Sequence, residues 1–148
     1  MEITKDIIYQ VYAGKKSRKI IDLILATFIP DYEKLNPDYA CKPNDQNYIF
    51  KTEDEMVNYF IGNTGISQTF YWNKYQDNPY HIMVGANITD DDQLIISLTI
   101  AGNDEIGEKY FSQLKEILQS NIGIISYIDP VEYENGKDFI SKYSGSHL

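Results

Sequence analysis

Two neighbouring stretches with a two-residue repeat constrain the fold of this chain more than any other feature. In residues 80–89 apolar side chains alternate with smaller or polar ones, and residues 93–101 continue the alternation after the turn at Asp90-Asp91-Asp92. A period of two is that of a β-strand with one buried face. The core-facing positions are Tyr80, Ile82, Val84, Ala86, Ile88, Leu94, Ile96, Leu98 and Ile100. The pair predicts an antiparallel β-hairpin.

An aromatic segment, residues 68–75, predicts a further strand that reaches the hairpin through a turn at Asp77-Asn78-Pro79. Alternation puts aromatic side chains on both faces, Phe70 with Trp72 and Tyr71 with Tyr75. One of these sets belongs to the core, and the other belongs to a second sheet face. That second face also carries His81, Met83, Ile95, Ser97 and Thr99. It is either a binding surface or is covered by the N-terminal helices.

Capping residues and apolar stripes predict three helices. Residues 17–29 have Ser17 as a cap and Pro30 as a stop. Thr52 and Glu55 form a capping box for a second helix. A third helix is predicted over about 104–120 and leads into a strand at 122–128.

Other segments are less regular. Residues 3–12 fit a helix or a strand, and we interpret them as a helix that ends at Gly14. Residues 31–47 predict an irregular connection with a short strand near 39–41, and 48–50 predict the end of a strand.

Together these elements predict one α+β domain over residues 1–148. Its parts are an N-terminal helical segment at 1–36, a sheet core at 47–128 and a tail at 137–148. The core is a mainly antiparallel sheet of about five strands in the order β-α-β-β-β-α-β, which is ferredoxin-like with an extra strand and is preceded by N-terminal helices. A right-handed crossover would pair strand 93–101 in parallel with strand 122–128.

The charge balance restricts the classes of partner. The chain has 22 acidic and 13 basic residues, a formal charge of −9. This negative field disfavours nucleic acid and anionic membranes and attracts a basic protein. Solubility alone is the other explanation of such a surface. The single cysteine, Cys41, and an N-terminus without a secretory signal predict a cytoplasmic protein.

The sequence contains no recognisable catalytic, metal or cofactor motif. A nucleophilic cysteine–histidine pair would need Cys41 and His81, and no glycine-rich elbow surrounds Cys41. His81 and His147 are the only histidines available to a metal site. The three aspartates 90–92 lack the alternating ligands and distal glutamate of a calcium loop. We therefore expect no enzyme activity, no metal and no cofactor.

Topology predicts an acidic edge. The turn at Asp77, the end of strand 93–101 and the end of strand 122–128 should meet at one end of the sheet. This predicted acidic edge collects the carboxylates of Asp77, Asp104, Glu105, Asp129, Glu132 and Glu134, with Tyr75, Tyr80 and Tyr133 beside them. It is either a partner-binding surface or a set of solvated loop residues.

A small, acidic domain with 13 tyrosines and no catalytic residues resembles the immunity proteins of bacterial polymorphic-toxin systems. The phrases Phe70-Tyr71-Trp72-Asn73 and 95–102, IISLTIAG, are similar in character to such proteins. The resemblance implies a non-catalytic protein that binds and neutralises a cognate toxin domain. The alternative is a small-ligand-binding or regulatory module that uses the second sheet face.

Overall fold

The structure is a computed structural model that describes residues 5–144. Within this range the chain forms five strands and four helices. In chain order they are β1 (Lys5–Lys15), α1 (Arg18–Phe28), α2 (Glu53–Gly62), β2 (Gln68–Trp72), β3 (Met83–Ile88), β4 (Gln93–Gly102), α3 (Asp104–Leu118), β5 (Gly123–Tyr127) and α4 (Gly136–Tyr143). The strands form one sheet in the order β2-β3-β4-β1-β5, and every neighbouring pair is antiparallel. An α+β fold with a five-stranded antiparallel sheet is thus confirmed.

The predicted hairpin is present as β3 and β4, with Ile88 opposite Leu94 beside the turn. β3 begins at Met83 rather than at residue 80. The Asn78 side chain closes the preceding turn, because it accepts from Ile82 N and donates to the carbonyls of Lys74 and Ile82. This turn fixes the chain before the strand begins, so only the later part of 80–89 is extended.

Residues 3–12 were predicted as a helix, and this prediction is wrong for the residues described. They belong to β1, which pairs with β4 on one side and β5 on the other. Ile7, Tyr9 and Val11 are buried among the core residues, and Ile8 on the other face is also buried. A central strand with two apolar faces loses the alternation that identifies a half-buried strand.

Gly14 does not end a helix. It lies within β1 with φ at 82°, where the register between β1 and β4 shifts between Tyr12 and Lys15. A positive φ at an irregularity of an antiparallel pair is typical of a β-bulge, and glycine adopts it without strain.

The predicted parallel pairing of 93–101 with 122–128 is also wrong. β4 and β5 do run in the same direction, but β1 lies between them. Of the residues that the structure describes, 39–41 and 48–50 form no strand. The order β-α-β-β-β-α-β preceded by N-terminal helices therefore does not describe the fold, because β1 comes first and supplies the centre of the sheet.

The three helices predicted from capping residues are all present. Ser17 caps α1 and Thr52 caps α2, each accepting a backbone N–H in the first turn. In a capping box the Glu55 carboxylate would accept from Thr52 N. Here it accepts the Tyr48 hydroxyl instead. Helices α1, α2 and α3 contribute to a single core on one face of the sheet. Its largest buried side chains include Phe28, Phe60, Phe70 and Trp72. No helix in the described range is long and apolar enough to cross a bilayer.

The chain after β5 packs on the other face of the sheet. α4 contacts β1 and β4, and its Phe139 is fully buried against the rings of Tyr133 and Tyr143. The predicted tail contains most of α4, and its residues 145–148 lie outside the described range. The second sheet face is thus partly covered, and the cover is the C-terminal segment rather than the N-terminal helices.

Glu53 is a buried carboxylate that joins three parts of the fold. It is the first residue of α2 and is 6% exposed. One oxygen accepts from Leu35 N and from Trp72 Nε1 at 3.0 Å, and the other accepts the Tyr32 hydroxyl at 3.2 Å. Burial, with the neighbouring Glu53 carboxylate, raises the pKa of Tyr32 to about 12, so this hydroxyl stays protonated as a donor. Glu53 therefore fixes the irregular 31–50 segment to α2 and β2.

Substitution of Glu53 tests this role. Glu53→Leu leaves the buried N–H groups of Trp72 and Leu35 without an acceptor and should lower the free energy of unfolding by about 2–5 kcal/mol. Glu53→Gln keeps an acceptor oxygen and should cost only about 1 kcal/mol. Urea unfolding followed by the fluorescence of Trp72 measures both. Equal losses for the two variants would show that side-chain shape, and not hydrogen bonding, is what Glu53 provides.

Candidate functional site

One end of the sheet is acidic, as the topology predicted, although fewer residues reach it. The loop before β3, the end of β4 and the end of β5 lie at this end, because Tyr80 O accepts from Ala101 N and Asp6 O accepts from Ile128 N. The exposed carboxylates here are Asp77, Asp104, Glu105 and Asp129, which we call the rim. The Asp104 carboxylate accepts the Tyr127 hydroxyl at 3.2 Å.

Large apolar side chains are exposed beside the rim. Tyr75 is 77% exposed, Ile128 is 79% exposed and Tyr127 is 47% exposed. Tyr80, which was predicted both for the core face of the hairpin and for the acidic edge, packs its ring against Tyr110 and the core. The rim thus combines negative charge with apolar contact area.

Glu132, Tyr133 and Glu134 do not lie at the rim. The chain turns back after Asp129 and crosses the second sheet face. Val131 N donates to Gln10 Oε1 at 2.9 Å, and Asn87 Nδ2 donates to the Tyr133 hydroxyl at 2.5 Å. The predicted acidic edge was therefore too large, because the path of the chain after β5 depends on contacts with β1 and β3.

This returning segment, residues 128–134, forms the roof of a cleft whose floor is the second sheet face. The cleft has a volume of about 720 Å³. Its floor is lined by Asp6, Ile8, Gln10, Thr69, Tyr71, Met83, Asn87, Ile95, Ser97 and Thr99, and its roof by Ile128, Pro130, Val131, Glu132, Tyr133 and Glu134, with Lys142 of α4 at one side. Asp6 lies at the start of β1, opposite Ala101 near the end of β4, so the cleft and the rim adjoin.

The floor depends on Gly85. A Cβ at this position would lie 2.2 Å from Ser97 Oγ and 2.8 Å from Tyr71 Cε1. The absence of a side chain lets the Tyr71 ring lie over the strand next to Ser97. Glycine in a strand often marks such a close approach.

A short chain of hydrogen bonds joins floor and roof. Thr69 Oγ1 donates to Asn87 Oδ1 at 3.0 Å, and the Asn87 amide in turn contacts Tyr133. Burial is the largest influence on the hydroxyls of Tyr71 and Tyr133 and raises the pKa of each. Both therefore stay neutral at physiological pH and serve the cleft as hydrogen-bonding groups.

The charge of the cleft is negative. Its lining includes three carboxylates, Asp6, Glu132 and Glu134, and one ammonium group, Lys142. Lys142 forms an ion pair with Asp138 at 3.0 Å and also interacts electrostatically with Glu134, so the carboxylates of the lining still outnumber its one cation. A cation is the charge type that this lining favours.

The residues considered for catalysis lie on the surface. Cys41 is exposed. His81 is exposed as well, with φ at 48° in the loop before β3. His147 lies outside the described residues. Between residues 5 and 144, no three histidine, cysteine, aspartate or glutamate side chains converge as a metal site would require.

The aspartates 90–92 have structural partners. Asp92 forms an ion pair with the buried Lys16 at 3.0 Å and accepts from Gly65 N. Lys16 also donates to the carbonyls of Phe60 and Asn63 at the end of α2. Asp91 accepts from Gly136 N and Lys137 N, both at 2.9 Å, in the first turn of α4. Asp91 and Asp92 therefore attach the hairpin to helices on opposite faces.

Sequence reasoning missed several cleft residues. Gln10 and Asp6 were hidden in the segment interpreted as a helix, whereas reading it as a strand would have put both on the second face. Thr69 alternates with Phe70, and Asn87 with Ala86 and Ile88, so their position facing away from the core was available in the sequence. The roof had no such signal.

Asp91 contributes to the attachment of the roof, because it holds the start of α4 and the Tyr143 hydroxyl of that helix donates to Glu132 O. Burial disfavours its charged form, but hydrogen bonds from Thr89, Lys137 and Gly136 outweigh this and lower its pKa. A lowered pKa in the folded state means that the stabilisation is complete above the ordinary value of about 3.9 and is lost as pH falls through the folded value.

Asp91→Asn should therefore loosen the roof at neutral pH. If the substitution lowers the free energy that holds residues 128–144 in place by about 1–2 kcal/mol, their amide exchange becomes about 5- to 30-fold faster. Asp90→Asn is the matched control, because the neighbouring Asp90 is exposed and its substitution removes the same charge. Hydrogen exchange measured by mass spectrometry distinguishes them. Unchanged exchange in Asp91→Asn would mean that other contacts hold the roof.

Comparison with known proteins found no matching family model, no matching curated protein and no matching solved structure. Inferences about function therefore depend on the rim and the cleft themselves.

Proposed function

We propose that this chain is a non-catalytic binding protein that neutralises a basic protein partner, in the manner of a toxin immunity protein. The observation that carries the proposal is the acidic surface formed where the rim meets the cleft. The mouth of the cleft carries the carboxylates of Asp6, Glu132 and Glu134, and Asp6 lies next to the rim. Exposed apolar side chains lie beside the rim.

The charges of this surface are available to a partner. The ion pairs of the described residues involve Asp22, Asp54, Asp92 and Asp138 as acids. Asp77, Glu105 and Asp129 take part in none of them. Carboxylates that form no ion pair with the described residues contribute to the field that steers a basic protein towards the chain.

The exposed apolar residues supply the second requirement of a stable interface. Charge mainly accelerates association, whereas aromatic and aliphatic side chains that become desolvated slow dissociation. Tyr75, Tyr127 and Ile128 provide such area next to the rim. The usual composition of a protein interface, in which apolar anchors are surrounded by polar groups, is thus present at one end of the sheet.

A cytoplasmic location and a toxin as the partner belong to the same proposal. Toxins that act on nucleic acid need basic sites, and an inhibitor can occupy such a site by offering carboxylates in place of phosphates. The single, exposed Cys41 suits a reducing compartment.

The cleft supports a second candidate function, a small-ligand-binding or regulatory module. Its volume of about 720 Å³ is within the range of sites that hold small molecules. The two functions differ in what they need. A small-ligand module requires only the cleft, whereas a neutralising protein also requires the rim.

The direct test of the proposed function begins with the genes that neighbour the one encoding this chain, where the proposal expects a toxin gene, and uses the toxin domain found there. Expression of that domain alone should arrest growth of a host cell, and co-expression with this chain should restore it through a stable complex. Failure to restore growth or to form a complex, with both proteins folded, would contradict the proposal.

Charge reversal tests whether the rim contacts the partner. Glu105→Lys/Asp129→Lys should lower the association rate constant with that toxin domain by about tenfold or more at low salt, because it reverses two exposed rim charges. Asp90→Lys/Glu116→Lys is the control, since it reverses two exposed carboxylates at the opposite end with the same change in net charge. Stopped-flow or biosensor kinetics give both rates. Equal slowing in the two double variants would mean that only net charge matters.

A further inference from the structure

We propose that the cleft is a receptor for a guanidinium group on an alkyl stem, and that the group is an arginine side chain of the basic partner. The chemistry of the site follows from the cleft alone. The source of the group rests on the proposed function.

The mouth of the cleft selects a cation. Asp6, Glu132 and Glu134 line the mouth and are exposed. None of them takes part in the ion pairs of the described residues. Lys142 is held by Asp138. These three carboxylates would repel an anion and attract a cation.

The floor favours guanidinium over a compact ammonium. Thr69, Asn87, Ser97 and Thr99 are only half-buried and present hydroxyl and amide oxygens to the cleft. Guanidinium has five N–H donors spread over a plane, which suits several acceptors distributed over a sheet face, whereas an ammonium group is a compact point charge. The ring of Tyr71, seated over Gly85, adds a surface on which a guanidinium plane can stack.

The same floor accepts an alkyl stem. Ile8 and Ile95 are buried side chains that line the cleft, and Met83 lies half-exposed beside them. Arginine places apolar methylene groups along such a surface and its charge at the polar end. The cleft is larger than one side chain needs, so a short length of the partner chain around the arginine also fits.

The cleft is formed before any partner arrives. Gln10 is 3% exposed and holds Val131 N, Asn87 holds Tyr133, and Tyr143 donates its hydroxyl to Glu132 O at 2.8 Å. These bonds hold the middle of the roof, at Val131, Glu132 and Tyr133. A site that is already ordered loses less entropy on binding.

Two small probes of the same shape test the chemistry. n-Butylguanidinium and n-butylurea differ in charge and in one heavy atom, and titration of each into the isotope-labelled protein is followed by NMR. We expect saturable shifts at Ser97, Thr99 and Asn87 with a Kd on the order of 1 mM for butylguanidinium, as suits so small a ligand. Butylurea should bind at least about fivefold more weakly, because it lacks the charge that strengthens each hydrogen bond. Equal affinity of the probes, or no saturable shift on the floor, would overturn the proposal.

Variants locate the site. Glu132→Gln/Glu134→Gln should weaken butylguanidinium binding by about tenfold without changing the affinity for butylurea. Each substitution removes one carboxylate that would pair with the guanidinium cation. Asp90→Asn/Glu116→Gln removes the same charge elsewhere and should leave both affinities unchanged. Thr99→Val removes one floor hydroxyl while keeping the shape of a strand residue, and it should weaken butylguanidinium binding about threefold or more. Wild-type affinity in both cleft variants would place the probe elsewhere and overturn the proposal.

The toxin domain distinguishes the two proposals. If an arginine of the partner occupies the cleft, Glu132→Gln/Glu134→Gln should raise the Kd for the toxin at least about tenfold, as for other buried charge-paired contacts, and butylguanidinium should compete with the toxin. Wild-type toxin binding by this variant would show that a free guanidinium compound, and not the partner, is the ligand. Probe binding by a protein that fails to neutralise the toxin would leave the cleft chemistry standing and contradict the proposed function.

Discussion

Strand β1 lies between β4 and β5, and the placement of most other elements follows from this pairing. Residues 5–15 form hydrogen-bonded ladders on both sides, so the first element in the chain joins the long hairpin to the strand that follows α3. One face of β1 enters the main core with Tyr9 and Val11, and the other presents Gln10 to the roof. β1 is therefore held by pairing on both edges and by packing on both faces.

The same strand explains how both parts of the acidic surface come together. Because β1 is antiparallel to β4 and to β5, the ends of those two strands meet at one end of the sheet and deliver the rim. Because Gln10 of β1 accepts Val131 N, the chain that leaves the rim is led back over the second face and encloses the cleft. The rim and the cleft are thus two results of one arrangement, and a single partner can contact both.

Local sequence signals predicted the parts of this fold that depend on local interactions. Ser17, Thr52 and the alternation in 80–101 act over a few residues, and the structure contains the helices and the hairpin that they specify. β1 could not be identified in the same way, because burial of both faces removes its alternation. The missed roof depends on the bond between Gln10 and Val131, which are 121 positions apart. Four of the six carboxylates predicted for the acidic edge lie there, because their positions follow from strand direction. Glu132 and Glu134 lie in the roof instead.

The central claim is that the partner contacts the rim and the mouth of the cleft, rather than the helical face. Hydrogen exchange of the complex with the toxin domain that the proposed function expects measures this directly by comparing protection in the free and bound chain. We expect binding to protect residues 75–82 and 127–134 and to leave exchange in α1 and α2 unchanged. Protection confined to α1 and α2, with residues 75–82 and 127–134 exchanging as in the free protein, would contradict it.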